Sequence, residues 1–300
     1  MAYILNPKYK NLEPFIKQLC TPGWFEENGT FLHDGRNKIK MFETNGLKIA
    51  VKEFGNLSLL NRIVYCTLRK SKARRAFEYA GRLKVLKIDT PEEIAYIEIR
   101  RKGLLERSYY VCLHTEYRSM LPLFYKRDLS PTEFNEITPL LDDLAAFLYR
   151  THQAGVIHND LNYTNILYKS PDGTLPHDCP GANECAAENG EENKEKRSGI
   201  HHGTTEEGHG YSFTLIDINR MEFYKSAENP QPLPLEKRLH NLRRLNVSVI
   251  AHLYIMQKYA QIMGMRAQDL QLPVINMRYR FEHKRQRTQR IKNFIRGKKE

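Results

Sequence analysis

The sequence predicts an α+β protein in two lobes, an antiparallel sheet with one helix followed by a mostly helical part. Three observations carry that expectation. Strand-like runs separated by turn residues fill the first hundred or so positions, a long amphipathic stretch at 131–153 opens the remainder, and the chain has 300 residues, twice the ~150 typical of one domain. The hydrophobic share of 41% and charged share of 27% exclude a wholly disordered, collagenous or coiled-coil chain. No apolar run approaches the ~18 residues of a membrane span; the best, 247–256, is broken by Ser248 and His252. The start MAYILNPKYK has no basic region followed by an apolar core and a cleavage site, so the expected location is cytoplasmic.

The elements follow in order. Strands are expected at 31–32, 38–42 and 47–54, the last two joined by a turn at Thr44-Asn45-Gly46, where Asn-Gly signals a hairpin. A helix at 71–86 places Ala73, Ala76, Phe77, Ala80 and Leu83 on one face. Two strands follow, at 93–100 and 108–115, which closes a first lobe at residues 1–117. The second lobe, 118–277, begins with the helix 131–153, started by Ser130-Pro131 and ended before Gly155, whose stripe of Ile137, Leu140, Leu141, Leu144, Phe147 and Leu148 is core. Within it, 170–211 is polar, glycine-rich and too long for an ordinary connection, and reads as a disordered insertion. Its His177, Cys179, Cys185, His201, His202 and His209 are too irregularly spaced to define a metal site. The five cysteines include no CxxC pair, so reduced thiols are expected.

Charge is uneven. The net charge is +12, but 171–211 holds nine acids and three bases, so the rest of the chain carries +18. Such an excess points to an anionic partner.

The chemistry concentrates in GVIHNDLNYTNILY, residues 155–168, where His158, Asp160 and Asn165 have the spacing of a kinase catalytic loop. Phosphoryl transfer needs a carboxylate to take or orient the acceptor hydroxyl, the role of Asp160, and an amide oxygen to help hold a metal on the phosphates, the role of Asn165. Partners occur in chain order. Lys52 lies in a strand, as a phosphate-pairing lysine should. Glu78 lies on the next helix, positioned to hold Lys52 by an ion pair. Asp217 ends an apolar run, where kinases place a magnesium-chelating acid. His158 reads as a core histidine that holds the loop backbone.

These segments, with GRNKIKMF, LKIAVKEF, SKARRAFEYAGRL and LIDINRMEF, resemble the lipopolysaccharide kinase family (Kdo and heptose kinases), over about residues 30–260 apart from the insertion. The resemblance implies a two-lobed protein-kinase-like fold and transfer of the γ-phosphate of ATP, with Mg2+, to a Kdo or heptose hydroxyl of the lipopolysaccharide inner core. It also implies an anionic glycolipid acceptor at the cytoplasmic face of the inner membrane. Three departures bear on the substrate. Asn159 replaces the arginine that reads a phosphorylated activation loop, Asp217-Ile218-Asn219 replaces DFG, and no APE motif precedes the helix near Leu235, which favours a small or glycolipid acceptor over a protein. The glycine-rich loop is reduced to Gly35, with Arg36 beside it to add charge at the phosphates, and adenine is expected at the backbone of Glu116 and the two residues after it.

The tail, 278–300, has ten Lys/Arg and two acids with Phe281, Ile291, Phe294 and Ile295 interleaved. It is read as a basic amphipathic segment lying on an anionic membrane surface; no motif for a specific nucleic acid accompanies it. The alternatives to the sugar kinase are an atypical protein or small-molecule kinase, and a pseudokinase or basic binding module.

Overall fold

A computed structural model describes residues 2–35, 37–55, 69–125, 128–171, 208–225 and 229–295. Arg36, most of the 170–211 insertion, Cys66 and the last five residues lie outside the described residues. The chain forms two compact units. The first comprises Met1–Tyr117, Thr151–Leu161 and Thr214–Asn241; the second comprises Arg118–Arg150, Asn162–Phe213 and Leu242–Glu300.

The first unit is built on a six-stranded antiparallel sheet in the order β1-β5-β6-β4-β3-β2. Its strands are β1 Ala2–Leu5, β2 Thr30–Asp34, β3 Lys38–Thr44, β4 Leu47–Phe54, β5 Glu93–Arg101 and β6 Leu104–Leu113. Asn45 (φ 51°) and Gly46 (φ 72°) form the tight β3–β4 turn, with Thr44 opposite Leu47, as Asn-Gly dictates. Lys102 (φ 50°) and Gly103 (φ 80°) repeat that geometry between β5 and β6. The sequence reading ended β5 at 100 and began β6 at 108, because Lys-Gly is a weaker turn signal than Asn-Gly; the ladder instead continues from Ser108 to Leu104 across a bulge at Ile99/Arg100.

One face of the sheet, with Ile49, Val51, Ala95, Ile97, Tyr109 and Val111, packs against an N-terminal layer. That layer is a 3-10 turn, Pro7–Leu12, followed by α1 Glu13–Leu19 and α2 Trp24–Glu27, and it buries Leu12, Phe15, Ile16, Leu19 and Phe25. Strand alternation turns Lys52 and Tyr110 to the opposite face. There α3, Lys72–Val85, begins with Ser71 Oγ accepting from Arg74 N at 3.1 Å. Its small buried Ala73, Ala76 and Ala80 allow close approach to the sheet, and Phe77 meets Tyr96 edge-on at 5.5 Å.

The second unit holds β7 Arg118–Ser119, α4 Leu121–Phe124, most of α5 Pro131–Gln153, β9 Ile166–Lys169, α7 Val249–Ile262 and α8 Ala267–Ile295. α5 starts with a capping box: Ser130 N donates to Glu133 Oε2 (2.8 Å) and Glu133 N to Ser130 Oγ (3.3 Å). Its apolar stripe is buried as the periodicity requires. α8 is one helix through residue 278, and Arg278 is tucked in, bonded to His252 Nδ1 (3.1 Å) and Glu282 (2.7 Å). From 283 to 292 every residue is exposed. The basic residues there are not confined to one face. Positions seven apart share a side and positions two apart lie ~200° round the helix, so Arg285 and Lys292 face opposite to Arg280 and Arg287. This stretch is a rod with cations on opposite sides. Among the described residues no helix is long and apolar enough to cross a membrane.

Candidate active site

Asp160 and Asp217 lie on segments that meet at one end of a two-stranded ribbon. β8 Val156–His158 pairs antiparallel with β11 Met221–Phe223, His158 opposite Met221, so the loop leaving His158 and the segment entering Met221 share that end. Gly155 (φ 72°) begins the ribbon; a Cβ there would lie 2.6 Å from Gln231 O and 2.9 Å from Tyr224 O. Asp160 sits on the loop and Asp217 on the opposing segment.

His158 fixes the loop. Its Nδ1 accepts from Asp160 N (3.2 Å), so its proton is on Nε2, which donates to Ile216 O at 2.9 Å. Burial pushes its imidazole below the usual histidine range, against the pull of Ile216 O and of the Asp217 and Asp160 carboxylates. It is the structural histidine the sequence suggests. Asn241, on α6 Leu235–Leu242, clamps the same backbone: its Nδ2 donates to His158 O (2.8 Å), and its Oδ1 accepts from His158 N (3.4 Å) and meets His152 Nε2 (3.1 Å). Asn159, in the arginine's place, donates to Arg220 O (3.0 Å) and Glu222 Oε1 (2.8 Å), which joins the loop to the opposing segment.

Asp217 follows β10 Ser212–Leu215, which is tied to the connection between α3 and β5: Leu215 N donates to Asp89 O (2.9 Å) and Thr90 Oγ1 to Leu215 O (2.8 Å). The backbone of Asp217 is left-handed (φ 55°, ψ 39°), a strained conformation for a non-glycine residue. A 3-10 turn, Ile218–Arg220, follows it. Lys52 Nζ donates to Asp217 Oδ1 at 2.7 Å. Burial pushes the Asp217 carboxyl up, but the Lys52 ammonium and its hydrogen bond, with help from Arg220, outweigh it and hold the group below the usual range.

The structure thus brings Lys52, Asp160 and Asp217 into one unit. Glu78 is not with them. Its carboxylate takes Lys70 (2.7 Å) and Arg74 (2.9 Å), so the expected Glu78–Lys52 ion pair is replaced by Asp217–Lys52. The cause is local: Arg74 is one turn before Glu78 on the same helix, and ion pairs at that spacing form without tertiary help. Gly35 lies in the β2–β3 connection, where a Cβ would come within 2.5 Å of the His33 ring. Glu116 is exposed; next to it Tyr117 N already donates to Thr115 Oγ1 (3.2 Å). Asn165 belongs to the second unit, buried, its N–H on Asn162 O (3.0 Å). Sequence reasoning missed Asn241, whose signal is an amide between Leu239, Leu242 and Leu245.

No protein-family model matches the sequence, and no curated protein matches it. Among solved structures the chain is similar to WaaP in complex with acyl carrier protein, at 14% identity and a TM-score of 0.53 over 96% of this chain and 99% of that one. The kinase domain of Mycobacterium tuberculosis PknI overlaps 47% of this chain and 53% of its own at 18% identity and a TM-score of 0.30. The chain has a protein-kinase-like fold of mixed α+β architecture.

Proposed function

We propose that this chain is an ATP-dependent kinase that phosphorylates a sugar hydroxyl, Kdo or heptose, of the lipopolysaccharide inner core. The observation that carries the reading is the Lys52–Asp217 pair in the same unit as Asp160, whose loop is fixed by a neutral histidine. Asp160 takes the proton of the acceptor hydroxyl as its oxygen attacks the γ-phosphorus and the bond to ADP breaks. Lys52 leaves Asp217 for the α- and β-phosphates, Gly35 and Arg36 cover the phosphates, and the backbone beside Glu116 meets adenine.

Asp217 fits a hard divalent cation. Both of its hydrogen-bond donors, Lys52 and Asn219, meet Oδ1, and among the described residues none meets Oδ2, which suits an oxygen-seeking ion such as magnesium. Magnesium bound there supplies charge neutralisation on the transferred phosphate. The acceptor is an anionic glycolipid, and the cationic rod of α8 is the surface by which the protein would meet a membrane that carries it; the acyl carrier protein that accompanies WaaP is the comparison partner to offer that rod.

The test is transfer of labelled γ-phosphate from Mg-ATP by the wild type and Asp160→Ala, offered Kdo-lipid A, heptosylated core lipid and a generic protein in parallel. Asp160-dependent label in a glycolipid is the expected result. Asp160-dependent label only in protein, or label that survives Asp160→Ala, overturns it.

A further inference from the structure

Asn219 is held where it can act on Asp217 and on little else. It is 4% exposed, packed in the 3-10 turn beside the buried Ile218, and its Nδ2 donates to Asp217 Oδ1 at 2.5 Å. That oxygen is the one that also receives Lys52. The two donors differ in permanence. Lys52 reaches Asp217 across 165 residues from a strand, through a flexible four-carbon stem, and on the kinase reading it must turn to phosphate. Asn219 is two residues on in the same turn and has no comparable alternative position.

We propose that Asn219 is a positioning residue: it keeps Asp217 Oδ1 engaged once Lys52 departs, and so presents Oδ2 to the divalent metal. The need for such a hold follows from the backbone. Asp217 is left-handed, a conformation that side-chain-bearing residues seldom adopt, and a carboxylate on such a backbone with no lateral hydrogen bond would sample several rotamers. Groups that orient a metal ligand through its remaining oxygen are typically worth about ten- to a hundredfold in metal affinity or activity. The inference rests on the kinase reading above, since that reading supplies the metal and the departure of Lys52.

The test compares wild type with Asn219→Leu, which keeps the volume and removes the donor, and Asn219→Ser, a smaller polar residue in case the leucine does not fold. Two quantities are read: the magnesium concentration that half-saturates ATP turnover, and the rise in thermal midpoint caused by ADP with magnesium and by ADP with EDTA. The expected result is a half-saturating magnesium concentration raised about ten- to a hundredfold, turnover largely recovered at saturating metal, the magnesium-dependent part of the thermal rise reduced, and the EDTA part unchanged. A folded variant that titrates with magnesium as wild type does overturns the role of Asn219 and leaves the kinase reading intact. A uniform loss of turnover at every magnesium concentration, with the thermal responses unaltered, also overturns it. A wild type that responds to neither nucleotide nor metal overturns both.

Discussion

Lys52 and Asp217 are 165 residues apart in the chain and 2.7 Å apart in space. Their side chains are 17% and 27% exposed, so the pair is largely out of water and either partner left alone would be costly. Lys52→Met is expected to abolish detectable transfer and to destabilise the protein by about 2 kcal/mol at pH 7. The sign follows from the lowered carboxyl of Asp217: the pair stabilises above the unfolded carboxylate value and loses its effect as pH falls through the folded one. Urea midpoints of wild type and Lys52→Met should therefore differ most near neutrality and converge below about pH 4.

Glu78→Gln separates this arrangement from the one the sequence suggests. Among the described residues Glu78 pairs with the partly exposed Lys70 and Arg74, and such pairs are worth about 0–1 kcal/mol. Its loss should leave stability nearly unchanged and lower turnover less than tenfold, whereas Lys52→Met is far more damaging. An equal effect of the two variants on kcat would mean that Glu78 reaches Lys52 in the working enzyme.

The buried histidines predict acid lability. Burial lowers His158, and lowers His152 to about 4 despite its bond to Asn241. Each is neutral when folded and takes up a proton on unfolding once pH falls below about 6.5. Stability should thus be full above that pH and fall steadily from about 6.5 toward 4. The check is the urea midpoint at half-unit pH steps. Asn241→Leu should lower the midpoint at every pH by removing three partners of buried groups.

The exposed end of α8 should contribute little to stability and much to surface attachment. Replacing Lys284, Arg285, Arg287, Arg290 and Lys292 by glutamine is expected to shift the thermal midpoint by no more than a few degrees, since residues 283–292 are all exposed. The same change should abolish sedimentation with vesicles rich in anionic lipid, at about 1 kcal/mol per basic residue near the surface. Unaltered sedimentation would mean that attachment lies elsewhere.

The legible parts of this protein were those with a local signal. Asn45-Gly46 fixes a hairpin through backbone dihedrals alone, and the stripe from Ile137 to Leu148 fixes a helix through its period. Asp160 was legible because the loop packs its chemistry into eight residues. The N-terminal layer was not. Its helices are seven and four residues long, too short for a period to develop, and they exist because Phe15, Trp24 and Phe25 close around Phe42. Glu78 was misplaced because spacing says which helix face a carboxylate occupies, while the choice among three cations depends on which one happens to be nearer. The roles of Asn219 and Asn241 were not legible because an amide becomes informative only once the group it bonds is known, a carboxylate for Asn219 and a backbone for Asn241.

The threading of the first unit has a consequence for the order in which the protein is made. Asp89 and Thr90 emerge from the ribosome well before Leu215, the residue they bond, and Lys52 waits longer still for Asp217. A fragment that ends at residue 117 contains all six strands of the sheet yet lacks Asp217, the partner of Lys52, and Leu215, which bonds Asp89 and Thr90. The nascent chain therefore carries an incomplete half until residue 241 has been added. A premature stop anywhere in the insertion would therefore leave a complete six-stranded sheet without the carboxylate that Lys52 pairs with.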